Sequence, residues 1–431
     1  MNGSFRRWRR VLSGAFLSVG LIAPACALEH AGPSLTLDAA IATALSQNAQ
    51  MRIATEAIGE RAAEARQASF LPNPELGLEV ENVFGSGPYS GVDEADITLG
   101  VSQLIETGGK RESQKRLFRL SELAATAERN AVERILREAV THAFNELLAA
   151  QREVTTASAA AENIGTLVPA LRRRFERGAS SEADLNRGLL ALELAEIRVT
   201  AREAELRTAQ QTLLALWSEN VYRPLHAEGS FAVPAVQLPR LDELEARLDS
   251  HPAVLGGQET VSARRAAFDL EKANAVPDVT LGAGARRFSG TDESALLFSV
   301  SIPLTVFDRN QGNIDATSRR IVQADLDAQQ TRVELARDLQ QAYQTYQSRC
   351  PEAARLGSSI VPASEKTSAT IREGYLAGRF GVLELLDALQ TSTESRLQET
   401  QALLACVNAL ASIETMTGLP ASADAAEGDE Q

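Results

Sequence analysis

Residues 110–168 contain no proline and a single glycine, Gly165, and that run restricts the possible shapes of the chain more than any other. Within it Leu136, Val140, Ala143, Leu147, Ala150 and Val154 step by four, three, four, three and four. Heptad steps of this kind keep an apolar stripe on one face of a helix that packs along a narrow seam. Leu190, Leu194, Ile197, Ala201 and Ala204 repeat the pattern, as do Leu335, Leu339, Ala342 and Tyr346. Alanine at many seam positions lets helix axes approach closely. Carried on to Arg177, a single helix would be about 100 Å long. A compact globule has no room for such a rod. The shape must be an elongated bundle, a fibre or a tube.

The chain also repeats itself. ASFLPNPELGLEVE (68–81) is similar to ANAVPDVTLGAGAR (273–286), with Pro72 matching Pro277. ITLGVSQL (97–104) is similar to LFSVSIPL (297–304), and RFERGASSEADL (174–185) to GYLAGRFGVLEL (374–385), with Gly178 matching Gly378. The offsets cluster near 200 residues, too long for a solenoid unit. Between the copies, Pro224, Pro234 and Pro239 break the helical pattern. The expected organisation is a first repeat over 28–218, a linker over 219–240 and a second repeat over 241–418. Strands are expected near 74–83, 95–105, 277–288 and 294–304, and long helices near 109–177, 180–218, 311–377 and 380–418. An acidic tail closes the chain at 419–431. Pro169 lies nine residues before Gly178, but Pro362 lies sixteen before Gly378. Either the second hairpin differs by one heptad near its tip, or the two prolines are not equivalent.

In each half the strands alternate. Leu76, Leu78 and Val80 interleave with Gly77, Glu79 and Glu81, and Ile97, Leu99 and Val101 with Thr98, Gly100 and Ser102. Val279, Leu281 and Ala283 interleave with Thr280, Gly282 and Gly284, and Leu296, Phe298, Val300 and Ile302 with Leu297, Ser299 and Ser301. One apolar face and one small or charged face describe a half-buried strand. The pattern fits a small sheet on a helical body. It equally fits a membrane barrel, with lipid on the apolar face and water on the other. Four strands cannot close a barrel alone, and lipid does not tolerate open edges, so several chains would have to contribute. No apolar run beyond the first segment approaches the roughly 18 residues of a membrane-spanning helix, whereas about 9–11 suffice for a strand.

That first segment reads as a secretory leader. Arg6, Arg7, Arg9 and Arg10 precede an apolar stretch, and Ala25-Cys26-Ala27 carries the small residues of a cleavage site. Residues 1–27 are therefore the expected signal peptide, with Cys26 leaving a lipoprotein as the alternative. Losing its four arginines takes 43 basic residues to 39 against 57 acidic ones, a formal charge of −18. That balance disfavours a nucleic-acid partner. Cys350 and Cys406 could form one disulfide in an oxidising compartment. The reading preferred here is two separate small residues, buried or facing a lumen. His30, His142, His226 and His251 are scattered, none at ligand spacing, and methionines do not cluster. No catalytic residue, resident metal or cofactor is expected, and no nucleophile elbow or GxGxxG supports an enzyme.

SQLIETGGKRESQ (102–114) sets a lysine after paired glycines, as a phosphate loop does, but it fails that pattern at both ends. Leu104 stands where the first glycine should be, and Arg111 follows Lys110. Together with SIPLTVFDRNQGNIDAT (301–317) and the duplication, this stretch resembles the outer membrane factor family, the TolC-like exit ducts of Gram-negative efflux systems. The resemblance covers essentially the whole chain after the leader and is closest in character to the CzcC-like branch, which serves heavy-metal cation efflux. It implies a mainly α fold with a β part. Long helical hairpins form a trimeric α-barrel tunnel through the periplasm, and four strands per chain enter a shared outer-membrane barrel. The implied partners are two further copies, a periplasmic adaptor, an inner-membrane pump of the RND type and outer-membrane lipid.

The resemblance also assigns roles. Gly108, Gly109 and Lys110, and in the second half Pro303, Asp308 and Gly312, fall at the strand-to-helix junctions. Gly178, Ala179, Ser180 and Leu185 fall at the first periplasmic tip, and Gly378, Phe380, Gly381 and Leu383 at the second, where the adaptor would dock. Either Ser180 or Ser181 can cap the helix that follows the first tip. Glu384 and Asp387, three apart on one helix face, occupy the gate positions, where three copies would stack two acidic rings that favour cations. The plainer reading of each set is a helix turn and two solvated charges. Competing functions are an exit duct for organic toxicants or drugs, a structural periplasmic coiled coil, and a secreted helical enzyme or binding protein. The coiled coil leaves the paired strands unexplained, and the last finds no site.

Overall fold

The computed structural model describes residues 34–419. The leader, the fate of Cys26, His30 and all but the first residue of the acidic tail lie outside them. The first half runs β1 (Ser34–Leu35), α1 (Leu37–Gln47), α2 (Ala49–Gln67), β2 (Glu75–Glu81), β3 (Asp96–Ile105), α3 (Lys110–Glu176) and α4 (Glu182–Leu216). A connector carries β4 (His226–Ala227), which pairs in parallel with β1. The second half runs α5 (Leu241–Arg247), α6 (Pro252–Asn274), β5 (Val279–Phe288), β6 (Glu293–Ser301), α7 (Gln311–Arg355), α8 (Val361–Leu376) and α9 (Val382–Thr417).

α3 is one helix of 67 residues, so the heptad run does make a rod of about 100 Å. Pro169 sits inside it, and the helix continues past the hydrogen bond that proline cannot donate to Gly165. The equivalent rod of the second half is not continuous. A π-helical turn, Leu356–Ile360, separates α7 from α8, shortly after Pro351 and just before Pro362. The expectation of one regular helix over 311–377 is corrected on that point. A proline missing its donor is a common place for the ladder to slip to the wider π spacing. Positions 311–376 number 66, against 67 in α3, so no heptad has been inserted and the two prolines are not equivalent.

Four apolar clusters order the described body, three of them large and a fourth around Ala353, Leu356, Ala402 and Leu403. At its equator Val140, Phe144 and Leu147 of α3 pack with Leu213 and Leu214 of α4, Trp217, and Ala40 and Ala44 of α1. The Trp217 indole donates to the Ala40 carbonyl at 3.0 Å. Leu244 and Leu248 close over Leu339, Ile413 and Met416 in the second half. At the far end Leu167, Leu171, Tyr375, Val382 and Leu385 join the two helical hairpins.

Cys350 of α7 and Cys406 of α9 are bonded to each other, with Cα atoms 4.9 Å apart. The reading of two separate cysteines is therefore corrected. They are 56 residues apart in sequence. The reversal between α8 and α9 brings them level, which spacing alone could not show.

Candidate functional site

The four long strands form one antiparallel sheet in the order β2-β3-β5-β6, leaving β2 and β6 as its edges. Its register aligns the alternation. Leu76 faces Val101, Leu78 faces Leu99, Val101 faces Ala283 and Leu281 faces Val300. These apolar side chains share one face and are exposed, Leu76 at 75% and Phe298 at 82%. The other face carries glycines, Thr98, Ser102, Ser299 and Arg286, whose guanidinium pairs with Glu81 at 2.6 Å and donates to Thr98 at 2.8 Å. Phe307 and Leu304, at the helical end of the sheet, are 91% and 85% exposed. A bare apolar band backed by a polar face has no place in water and fits a bilayer wall.

The junctions where strand becomes helix are tied to one another. Gly108 and Gly109 have φ of +65° and +73°. A Cβ on Gly108 would also come within 2.7 Å of the Val276 side chain and 3.0 Å of the Ala273 carbonyl. Lys110 Nζ pairs with Asp278 at 2.8 Å, and the Thr107 amide donates to the same carboxylate oxygen at 2.9 Å. In the second half Asp308 accepts from the Asn310 amide at 2.8 Å, and Asn310 itself has φ +59°. Its side chain donates to the Glu271 carbonyl at 2.8 Å. Gly312 has open space and no left-handed backbone, so Asn310 does there what glycine does in the first half. Asp278 and Asn310 are the junction residues that motif reading missed. Only a left-handed preference of asparagine hinted at one of them.

The two tips are built alike. Gly178 N donates to Phe175 O and Ala179 N to Arg174 O; Gly378 N donates to Tyr375 O and Arg379 N to Gly374 O. Each is a Schellman turn around a left-handed glycine, with φ +69° and +76°. Ser181 rather than Ser180 caps α4, exchanging hydrogen bonds with Asp184 in a capping box, while Ser180 also reaches the Asp184 carboxylate at 3.3 Å. The Ser181 hydroxyl is the main reason the Asp184 carboxyl lies below its ordinary pKa. Leu383 is exposed, and Phe380 is 41% exposed with its ring laid over Gly374. Leu185 instead packs half-buried against the tip core.

Glu384 stands third in α9, as Asp184 does in α4 at the 200-residue offset. Its carboxylate folds over Gly381, where a Cβ would meet it at 2.6 Å. Asp387 corresponds to Arg187, which pairs with Asp184 at 3.6 Å. The first tip thus matches its acid with a base, while the second keeps two exposed acids one turn apart. No ion pair engages either acid among the described residues. The site residues are therefore brought to two levels, the strand-to-helix junctions at one end and the two tips at the other, where the tips adjoin through a shared core.

The outer membrane efflux protein family model matches residues 40–219 and 244–419, once per half. The chain belongs to this family. It is an efflux channel of the outer membrane, with its sheet in the bilayer and its helices forming a tunnel into the periplasm. The cobalt-zinc-cadmium resistance protein CzcC of Cupriavidus metallidurans is 29% identical over 371 residues, 86% of each chain. The nickel-cobalt-cadmium resistance protein NccC of Alcaligenes xylosoxydans xylosoxydans is 27% identical, over 73% of this chain and 71% of that one. Among solved structures, the fold matches the channel CusC with a TM-score of 0.74 at 19% identity, over 88% of this chain and 91% of that one.

Proposed function

We propose that the protein is the exit duct of a three-part efflux system and passes divalent heavy-metal cations. The observation that carries the cargo is the similarity, over 86% of each chain, to CzcC, a cobalt-zinc-cadmium resistance protein. In this reading three copies close the duct. Sheet edges β2 and β6 cannot stay open in lipid, and three copies supply twelve strands, an even number within the range of known barrels. The helices support the same closure. Leu190, Leu194 and Ile197 of α4 are bare, and so are Val322, Leu326 and Val333 of α7. Two different apolar stripes, one meeting the other on the next copy, would make a head-to-tail interface, which closes into a ring when the rotation fits.

The two tips dock the adaptor, through Gly178, Ala179 and Ser180 on one and Gly378, Phe380, Gly381 and Leu383 on the other. Leu185 supports the first from behind. Glu384 and Asp387 form the gate, whose stacked acidic rings admit cations and repel anions. In the same reading an inner-membrane pump of the RND type drives the flow. The test is a deletion strain challenged with zinc, cobalt, nickel, cadmium and copper salts and with organic toxicants. Restored growth on metal salts upon re-expression is expected. Sensitivity confined to the organic compounds would overturn the cargo.

A further inference from the structure

Glu138 and His142 lie one turn apart on the face of α3 that turns away from the equatorial core. α9 brings two further groups against them. The Ser412 hydroxyl donates to Glu138 Oε1 at 2.5 Å. His142 Nε2 lies 3.2 Å from Ser412 Oγ and 3.2 Å from the Asn408 carbonyl oxygen. Glu138 Oε1 is 3.9 Å from the same nitrogen. Asn145 donates to the Asn408 side chain at 2.9 Å and steadies that turn of α9. The side chains of Glu138 and His142 are 27% and 32% exposed, so the group is sheltered yet reachable. It borders a cavity of about 670 Å³ between α3, α7 and the end of α9, into which Glu334 and Asp338 also project.

A carboxylate oxygen, a hydroxyl and a carbonyl oxygen thus lie within 3.9 Å of one imidazole nitrogen, drawn from two helices. A divalent transition-metal ion bound at about 2.1 Å sets neighbouring ligands about 3.0–3.4 Å apart. The two contacts of His142 already have that spacing. The short Ser412–Glu138 contact opens and the longer Glu138–His142 gap closes with small side-chain rotations. His142 then binds through Nε2, its ring proton passing to Nδ1, so a neutral imidazole needs no net proton release. Arg134, the cation in the same cavity, is held aside by the Thr415 carbonyl at 3.1 Å.

We propose that Glu138, His142, Ser412 and the Asn408 carbonyl form a holding site for a divalent first-row cation in the wall of the tunnel. Mixed nitrogen and oxygen ligands suit zinc, cobalt and nickel, whereas soft monovalent copper prefers sulfur. Both described cysteines are committed to a disulfide and offer no thiolate. With one carboxylate in the set, the site holds an ion loosely enough to let it go, as a passage requires.

The purpose of the site rests on the cation-efflux reading, but its existence does not. The test titrates the purified full-length channel in detergent with cobalt(II) chloride, followed by calorimetry and by the ligand-field absorption of the ion. Magnesium chloride serves as comparison. One saturable cobalt ion per chain is expected, with binding weakened by about tenfold or more in both His142→Ala and Glu138→Gln. Glu138→Gln keeps an acceptor for Ser412, and retained helical circular dichroism shows that the fold survives. Absence of saturable binding, or variants that bind like the parent, would overturn the site. The same variants are scored for metal resistance in the deletion strain. Lost binding in a parent that still confers resistance removes the site alone, whereas intact binding without resistance removes the efflux reading alone.

Discussion

Acid should weaken this channel through one histidine. His251 is 5% exposed, and its Nδ1 caps α6 by accepting from the Ala253 amide at 3.2 Å. Burial, and next the positive charge of Arg134, push its pKa from 6.5 down to about 4. The folded chain therefore refuses a proton that the unfolded chain takes. The stabilisation is fully present above pH 6.5, is lost as pH falls toward 4, and changes no further below that. A 2.5-unit gap makes the loss about 2 kcal/mol per chain at pH 5 and about 3 kcal/mol at pH 4. His251→Asn keeps a capping acceptor but cannot titrate. Chemical unfolding followed by helical circular dichroism, on both proteins at pH 7 and pH 5, isolates the term, since other titrations cancel in the difference. The parent should lose about 2 kcal/mol more than the variant. Equal losses would refute the reasoning, because they would mean that His251 is protonated alike in both states.

Other substitutions test the remaining levels of the molecule. Gly108→Ala meets both a left-handed backbone and the Val276 and Ala273 atoms, so it should cost about 2–4 kcal/mol. Gly109→Ala meets only the backbone and should cost about 1–2 kcal/mol; their ranking in unfolding midpoint is the check. Phe298→Arg places a charge on the lipid face and should cost about 2–4 kcal/mol per chain, read as lost heat-stable oligomer in the outer membrane. Ser299→Arg, on the opposite face, should assemble nearly as well as the parent. Glu384→Ala combined with Asp387→Ala should lower cation preference in single-channel recordings, and unchanged conductance and selectivity would reject the gate.

The architecture was legible where physics is periodic. Leu136 through Val154 announce a rod because an α-helix returns to the same face every three or four residues. Leu76, Leu78 and Val80 announce a two-faced strand because successive side chains in a strand point oppositely. Gly178 and Gly378 mark reversals because few other residues hold a left-handed backbone cheaply. The candidate site was legible less evenly. The spacing of Glu384 and Asp387 did set them one turn apart on an exposed helix face, while their part in a gate comes from the resemblance and is a proposal. Leu185 could not be told from its exposed neighbours, because its burial depends on where Leu171 and Tyr375 of other helices arrive.

What the sequence determined by itself is therefore local and repetitive: helix phase, strand alternation, turn points, and two copies of each. The tertiary structure alone decided which distant segments meet. It joined Cys350 to Cys406, set Asp278 against Lys110, gave the second junction to Asn310, and brought Ser412 to Glu138 and His142. Each of these pairings is separated by tens to hundreds of residues, and no local pattern records them. They follow from the way the helices and the junctions at their ends lie side by side, so that residues far apart in the chain come level.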